Sequence, residues 1–378
     1  ISSLIDELTA LSQDRNAYFK NLHKPVIGWC NTYVPEEIIM AAGFIPYRVM
    51  DMSKSLSASK AYLSGNMCSS VQNILECALS GNYKFLSGMI IGTSTDATKR
   101  LYDAWIRYVS TPFNHLFDIP KFIDENAKTH YTQSVCLLVE EIEKHFKIKI
   151  TNLAIEEAIS ICNKTRKLLC DLNNLRKVDN PPITSQQFLK ICKFAVTIDK
   201  KDFNDSLKKI VYQIKPNEKE KEKDFRILLT GSFQDQSWLL DIVEQENAMV
   251  VCEDLCTRLR YFSGLVIKGP DLISNIAERY LSAKPASASL ISLDKRSRYL
   301  LELIKEFRID GVIYYILKFD DPYLFEFPDM KDFLDTQKIP VLRIEAEHNT
   351  SAMGQIETRV QAFTETLSFR KANASFAK

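Results

Sequence analysis

The sequence predicts an α/β protein with two parallel-sheet domains joined by a helical segment. Short apolar runs alternate with helical patterns at both ends of the chain, which is typical of parallel strands with crossover helices. From about 129 to 213 only helical periodicity is visible. We therefore predict an N-terminal α/β domain (1–128), a helical connecting segment with a charged linker (129–223) and a C-terminal α/β domain (224–378).

In the N-terminal domain, local signals place alternating strands and helices. Apolar runs predict strands at 25–29, 45–50 and 87–92, and helical patterns predict helices at 36–42, 67–79 and 97–109. The first two helices are followed by Gly43 and Gly81, which are common residues just past a helix end.

The rest of the chain begins with helices, such as those predicted at 152–175 and 185–198. The charge run at 215–223 cannot bury itself and is the best candidate for a domain boundary. Beyond it, strands are predicted at 225–229, 248–252, 311–316 and 341–344, with a helix at 235–247.

Composition excludes several broad classes of protein. The chain has 378 residues, of which 46% are hydrophobic and 26% charged, with a net charge of +1. This balance gives no general field for nucleic acid. No apolar run approaches the roughly 20 residues of a membrane span, and residues 1–20 lack the order of a signal peptide. Walker A, GxGxxG, GxSxG and HExxH motifs do not occur.

The nine cysteines include no CxxC pair, which favours a reducing, cytoplasmic environment over a disulfide framework. Most lie in apolar stretches and are expected to be buried and inert. Cys252 and Cys256 would share one face if their segment is helical. Cys68 lies where a helix is predicted to begin, a position that favours a thiolate. Cys68 is therefore the best candidate metal ligand, although an inert thiol is equally consistent with the pattern.

Five loops are expected to form the rim of a site, because ligands of open parallel sheets lie at the carboxyl ends of the strands. These loops are at 29–35, 92–96, 230–234, 317–323 and 345–355. The first contains Tyr33 and leads into Glu36, and we take both as candidate catalytic residues. Glu36 also has a structural interpretation, since an acidic residue in the first turn stabilises a helix.

The last loop is predicted to enter a helix near Gly354. Backbone amides at such a start, with Gln355 and Arg359 one turn apart, could hold an anion or orient a cofactor. A solvated helix start is the alternative interpretation.

Several runs taken together resemble the 2-hydroxyacyl-CoA dehydratase and benzoyl-CoA reductase subunits, from about Pro25 to Phe369. The residues of these runs resemble those of the benzoyl-CoA reductase branch more than those of the amino-acid-fermenting dehydratases. They are PEEIIMAAG (35–43), TDATKRLYDAW (95–105), TPFNH (111–115), DLCTRLRYF (254–262), KFDDPYLF (318–325) and GQIETRVQAF (354–363).

The resemblance implies an anaerobic, radical-type enzyme of two homologous subunits, each built from two flavodoxin-like halves. A separate ATP-hydrolysing iron–sulfur activator supplies one low-potential electron, and the substrate is a coenzyme A thioester. Each subunit of the family typically holds a [4Fe-4S] cluster through three cysteines, one from each of three loops. Cys68 matches the first of these positions, whereas Thr95, next to Asp96, occupies the second and Asp320 the third.

Thiolates are the usual ligands of such clusters, and a threonine hydroxyl replaces them poorly. We therefore expect this chain to have lost the standard cluster and to complete the active site of a cluster-bearing homologous subunit, with Asp96 among the cofactor contacts. An unconventional metal site formed by Cys68, Cys30 and Asp320 is the alternative. The competing functions are a non-catalytic scaffold or regulatory subunit of such a complex, a subunit of a 2-hydroxyacyl-CoA dehydratase, and a small-molecule binding protein of flavodoxin-like fold that could hold flavin.

Overall fold

The computed structural model describes most of the chain. The described residues are 2–50, 53, 55–211, 214, 223–282, 287–288, 290, 293–347 and 352–376. The predicted charged linker therefore lies almost wholly outside them, and so does the segment 348–351 of the last candidate loop.

The N-terminal sheet contains four parallel strands in the order β2-β1-β3-β4. They are β1 (Val26–Cys30), β2 (Ile45–Arg48), β3 (Leu86–Gly92) and β4 (Phe113–Phe117). The first three were predicted from their apolar runs. β4 was not, because its side chains alternate between buried and half-buried positions, as in a strand at a sheet edge.

The C-terminal sheet repeats this arrangement, with four parallel strands in the order β6-β5-β7-β8. They are β5 (Phe225–Gly231), β6 (Ala248–Asp254), β7 (Gly311–Leu317) and β8 (Val341–Ala346). Both sheets show the first four strands of the flavodoxin-like order, so the predicted fold class is confirmed. Cys252 belongs to the predicted strand β6 and Cys256 lies beyond its end, so the two cysteines do not share a helix face.

Fifteen α-helices surround and separate the sheets in the described part of the chain. Those before the second sheet are α1 (Ser2–Gln13), α2 (Arg15–Leu22), α3 (Glu36–Ala41), α4 (Ser69–Leu79), α5 (Asp96–Tyr108), α6 (Glu125–Phe146), α7 (Asn152–Asn174), α8 (Ser185–Phe194) and α9 (Lys200–Val211). The others are α10 (Trp238–Gln245), α11 (Leu259–Phe262), α12 (Leu272–Ser282), α13 (Leu293–Glu306), α14 (Asp321–Thr336) and α15 (Met353–Phe376). Within the described residues, none of these helices is long and apolar enough to cross a bilayer.

One hydrophobic core joins the inner faces of both sheets through the helical region. It includes Ile27 and Ile90 from the first sheet, Leu169 from α7, and Val251 and Val312 from the second sheet. The outer face of each sheet has a separate core against its own helices. The helical segment therefore acts as a shared middle layer, which fixes the two sheets relative to each other.

A buried ionic cluster crosses the same middle layer. Its charged members are Glu36 and Glu37 of α3, Arg166 of α7 and Lys200 of α9, all with at most 1% of the side chain exposed. Arg166 Nη1 lies 2.6 Å from Glu37 Oε1, and Lys200 Nζ lies 2.9 Å from Glu36 Oε2.

Two tyrosines connect this ionic cluster to the C-terminal domain. Tyr261 of α11 donates a hydrogen bond to Glu36 (3.0 Å), and Tyr280 of α12 donates one to Glu37 (2.9 Å). The ion pairs and hydrogen bonds of this ionic cluster therefore connect helices next to both sheets with helices of the middle layer.

We predict that Arg166→Met lowers the free energy of unfolding by about 3–5 kcal/mol, because it leaves Glu37 as a buried charge without its cation. Lys164→Met, two residues away on α7, is the matched control. It removes an exposed ion pair with Asp205 and should cost at most about 1 kcal/mol. Urea-induced unfolding followed by circular dichroism measures both, and equal losses would contradict the role of the cluster.

Candidate functional site

Two adjacent cavities lie at the carboxyl ends of the strands. The inner cavity has a volume of about 130 Å³, and the outer cavity has a volume of about 600 Å³. The residues that line both cavities, and so form their shared wall, are Cys68, Ser94, Thr95, Asp320 and Pro322. Three of these, Cys68, Thr95 and Asp320, occupy the positions where the resemblance places cluster ligands.

Strand ends of both sheets supply the walls of these cavities. Cys30 is the last residue of β1 and residues 31–33 follow it, while residues 94–95 follow β3 and residues 320–323 follow β7. Four of the five loops expected at the rim contribute lining residues, whereas the loop at 345–355 contributes none among the described residues. The site therefore lies at the carboxyl ends of strands from both sheets, which is the usual place for ligands of parallel sheets.

Thr95 uses its hydroxyl to start α5. Its Oγ1 accepts a hydrogen bond from the backbone N–H of Thr98, and the Thr98 hydroxyl accepts one from the N–H of Thr95. This reciprocal pair is a capping box. The oxygen of Thr95 thus satisfies the helix backbone and is not prepared to bind a metal ion.

Asp320 is a half-buried carboxyl group directly before α14. Burial raises the pKa of Asp320 to about 6, while a hydrogen bond with Ser232 and the charge of Arg260 act in the opposite direction. The side chain makes no hydrogen bond to the start of α14. Its carboxyl group therefore faces the cavities and is not used for helix capping.

Cys68 and Cys30 are thiols in their present surroundings. Burial raises the pKa of Cys68 to about 11, and the charge of Asp320 adds to this effect. Burial likewise raises the pKa of Cys30 to about 12, although Arg48 opposes the shift. Cys256 lines the same inner cavity.

These side chains do not fit a cluster held by three thiolates. Of the three expected positions only Cys68 supplies sulfur, the Thr95 hydroxyl is engaged in a helix cap, and Asp320 offers a hard oxygen donor. Across the described residues, no group of three or more His, Cys, Asp or Glu side chains is close enough to hold a metal ion. Cys68, Cys30 and Asp320 line one cavity, and the alternative metal site formed by them stays a prediction.

The two candidate catalytic residues lie in different surroundings. Tyr33 is 7% exposed and lines the inner cavity, where its hydroxyl accepts a hydrogen bond from the backbone N–H of Ser287 (2.8 Å). Burial raises the pKa of Tyr33. Glu36 belongs to the buried ionic cluster and is not among the described residues that line either cavity.

The three residues predicted to contact a cofactor are more exposed. Asp96 lines the outer cavity, with 73% of its side chain exposed and its carboxylate 3.6 Å from Arg100. Gln355 is exposed near the start of α15, and the Arg359 guanidinium donates a hydrogen bond to the carbonyl of Arg343 (2.5 Å). Neither Gln355 nor Arg359 lines either cavity.

Sequence reasoning missed the arginines of the inner cavity, Arg48, Arg260 and Arg279, each at most 5% exposed. Arg260 belongs to the run DLCTRLRYF, so its presence in a shared motif was a usable signal. Arg48 ends an apolar strand, and nothing in the local pattern distinguishes it from a solvated residue past the strand end.

Comparison with known proteins agrees with this geometry. The sequence profile of the family described as 2-hydroxyglutaryl-CoA dehydratase, D-component, matches residues 31–367. The chain therefore belongs to this family.

Individual relatives match along almost their whole length. The chain is 31% identical to the (R)-phenyllactyl-CoA dehydratase beta subunit of Clostridium sporogenes, over 90% of this chain and 91% of the relative. It is 25% identical to a benzoyl-CoA reductase subunit of Thauera aromatica, over 91% of this chain and 91% of the relative. It is also 25% identical to the (R)-2-hydroxyglutaryl-CoA dehydratase beta subunit of Acidaminococcus fermentans, over 97% of this chain and 100% of the relative.

We predict that Asp320→Asn changes the pH dependence of stability. The pKa of Asp320 is raised from 3.8 to about 6 in the folded protein, so its ionisation disfavours the folded state as the pH rises through this window. Below pH about 4 the variant and the wild type should have the same free energy of unfolding. Between pH about 4 and about 6 the free energy of unfolding of the wild type should fall relative to that of the variant, and above pH about 6 the difference should stay constant. Urea unfolding midpoints at closely spaced pH values measure this difference, and a pH-independent difference would contradict it.

Proposed function

We propose that this chain is one subunit of a cytoplasmic, ATP-dependent acyl-CoA dehydratase or reductase complex that works through a radical. The observation that carries the proposal is the family match over 31–367, combined with a two-part cavity built from the loops that contain the shared runs. Its partners are a homologous subunit that carries a [4Fe-4S] cluster and an ATP-hydrolysing iron–sulfur activator. All nine cysteines are free, in keeping with a reducing compartment.

Within that complex, this subunit completes the active site and contributes no standard cluster of its own. Support comes from the shared wall of the cavities. There Thr95, which caps α5, and Asp320, a carboxyl group with a raised pKa, occupy two of the expected cysteine positions. The outer cavity has room for part of a coenzyme A thioester, since ligand pockets typically measure about 300–1,000 Å³.

Two net reactions are compatible with this architecture. The resemblance in the shared runs favours a reductase of the benzoyl-CoA type. The higher identity to a dehydratase beta subunit, 31% against 25%, supports elimination of water from a 2-hydroxyacyl-CoA as the second candidate.

The site residues have separable roles in this proposal. Tyr33 presents its hydroxyl to the inner cavity and is the candidate for direct catalysis. Glu36 would act through the ionic cluster that holds α3, and with it the preceding loop, in place. Asp96 is the candidate contact at the outer cavity. Gln355 and Arg359 would contribute at the surface of the complex, because they lie outside both cavities.

Reconstitution tests the proposal directly. The chain is purified anaerobically with a homologous cluster-bearing subunit and supplied with the activator, ATP and a reductant. Formation of cinnamoyl-CoA from phenyllactyl-CoA is measured beside reduction of benzoyl-CoA. We expect turnover of one substrate class that requires both subunits, and no turnover of either class would contradict the proposal.

A matched pair of variants separates an active-site subunit from a scaffold. Tyr33→Phe removes the tyrosine hydroxyl and should lower turnover at least about 100-fold, the lower end of the range expected for loss of a proton-transferring group. Tyr102→Phe, on α5 and outside both cavities, should leave turnover unchanged. A well-folded complex with full activity in both variants would identify the chain as a scaffold.

A further inference from the structure

Arg48 is a buried cation at the inner cavity, and among the described residues its hydrogen-bond partners include no anion. Its side chain is 4% exposed and lines the cavity. It donates hydrogen bonds to the Cys256 carbonyl (2.8 Å), the Cys256 thiol (3.2 Å) and the Thr32 hydroxyl (3.3 Å), and it lies 4.9 Å from the ring centre of Trp29. In the described part of the chain, none of these partners is a carboxylate.

Several other buried arginines of this protein pair with carboxylates. Arg166 lies 2.6 Å from a Glu37 oxygen, and Arg260 lies 2.8 Å from an Asp254 oxygen. Arg279, which also lines the inner cavity, resembles Arg48 because it donates to the backbone carbonyls of residues 261, 263 and 264. Glu37 attracts Arg279 from a longer distance. Burial of a cation without a counter-charge is costly, so the cavity is poised to accept an anion.

The acids of this region interact with other cations. Asp320 lies at the shared wall of the two cavities, and the cation that acts on it is Arg260 and not Arg48. Asp254, a fully buried carboxylate of the same region, is already bonded to Arg260 and Thr230.

The size and lining of the inner cavity restrict what such an anion can be. A volume of about 130 Å³ compares with an engineered cavity of about 150 Å³ that binds benzene. Beside the arginines, the lining includes Val49, Val71, Ile74 and Phe233. A ligand with a charged head and an apolar body of about one ring matches this combination, whereas inorganic phosphate would leave the apolar wall uncovered.

We propose that the inner cavity binds a small carboxylate, with its anionic head at Arg48 and its apolar body against Val71 and Ile74. Carboxylates suit arginine because the planar guanidinium can donate two parallel hydrogen bonds to them. The carboxylate comes either from a free acid or from the far end of an acyl group bound as a coenzyme A thioester, and the second source rests on the proposed function. No cluster is required for either.

Calorimetric titration of the full chain with sodium benzoate tests the proposal, with benzamide as a neutral ligand of the same shape. We expect benzoate to bind at least about tenfold more tightly than benzamide, since a hydrogen bond to a charged group contributes about 1.5–3 kcal/mol. Arg48→Gln should abolish this preference. Arg100→Gln, an exposed arginine on α5, should keep it.

A steric variant covers the case in which Arg48→Gln fails to fold. Val71→Phe keeps Arg48 and fills the cavity, so it should weaken benzoate binding by a similar factor. Equal affinities for benzoate and benzamide in the wild type, or unchanged benzoate binding in both cavity variants, would overturn the proposal.

Two coenzyme A thioesters distinguish the source of the carboxylate. Glutaryl-CoA ends in a carboxylate, and pentanoyl-CoA ends in a methyl group. Tighter, Arg48-dependent binding of glutaryl-CoA would assign the site to the acyl end of a thioester. Binding of benzoate alone would assign it to a free acid, and the carboxylate site would then stand even if the reconstituted complex proved inactive.

Discussion

The ion pair between Arg166 and Glu37 is the contact on which the arrangement of the site depends. It lies wholly inside the protein and connects the middle helical layer to the helix that follows the first strand. Because that helix begins at Glu36, at the end of the loop that contains the lining residues 31–33, the pair holds one wall of the inner cavity in place. Tyr280 extends the same network to the C-terminal domain. A buried pair of this kind adds little net stability compared with apolar packing, but loss of one partner is severe.

With the domains held in this way, the loops after the strands of both sheets meet around a single space. The chemistry of that space differs from what the family resemblance implies. The Thr95 hydroxyl caps α5. Burial raises the pKa of the Asp320 carboxyl group. The surroundings combine arginine, thiol and apolar groups, which suits an organic ligand better than a cluster of iron and sulfide.

Much of the fold could be predicted because buried parallel strands are continuous apolar runs bounded by turns. β1, β3 and β7 are of this kind. β4 was missed because an edge strand alternates in burial. The loops of the site were also predictable, since parallel topology fixes which strand ends meet. The environment of Glu36 was not, because its partners Lys200 and Tyr261 lie 164 and 225 residues further along the chain.

In this subunit Thr95 and Asp320 replace two of the three cysteines that would hold the standard cluster. Restoring both cysteines tests most directly whether this replacement prevents cluster binding. The wild type and the double variant Thr95→Cys/Asp320→Cys are each purified without their partner, incubated anaerobically with ferrous iron and sulfide, and desalted. Iron and acid-labile sulfide are then measured per chain. The account predicts none above background in the wild type and a clear gain of both in the double variant, which again has three thiols. Equal iron and sulfide in the two proteins, at the level of an intact cluster, would contradict it.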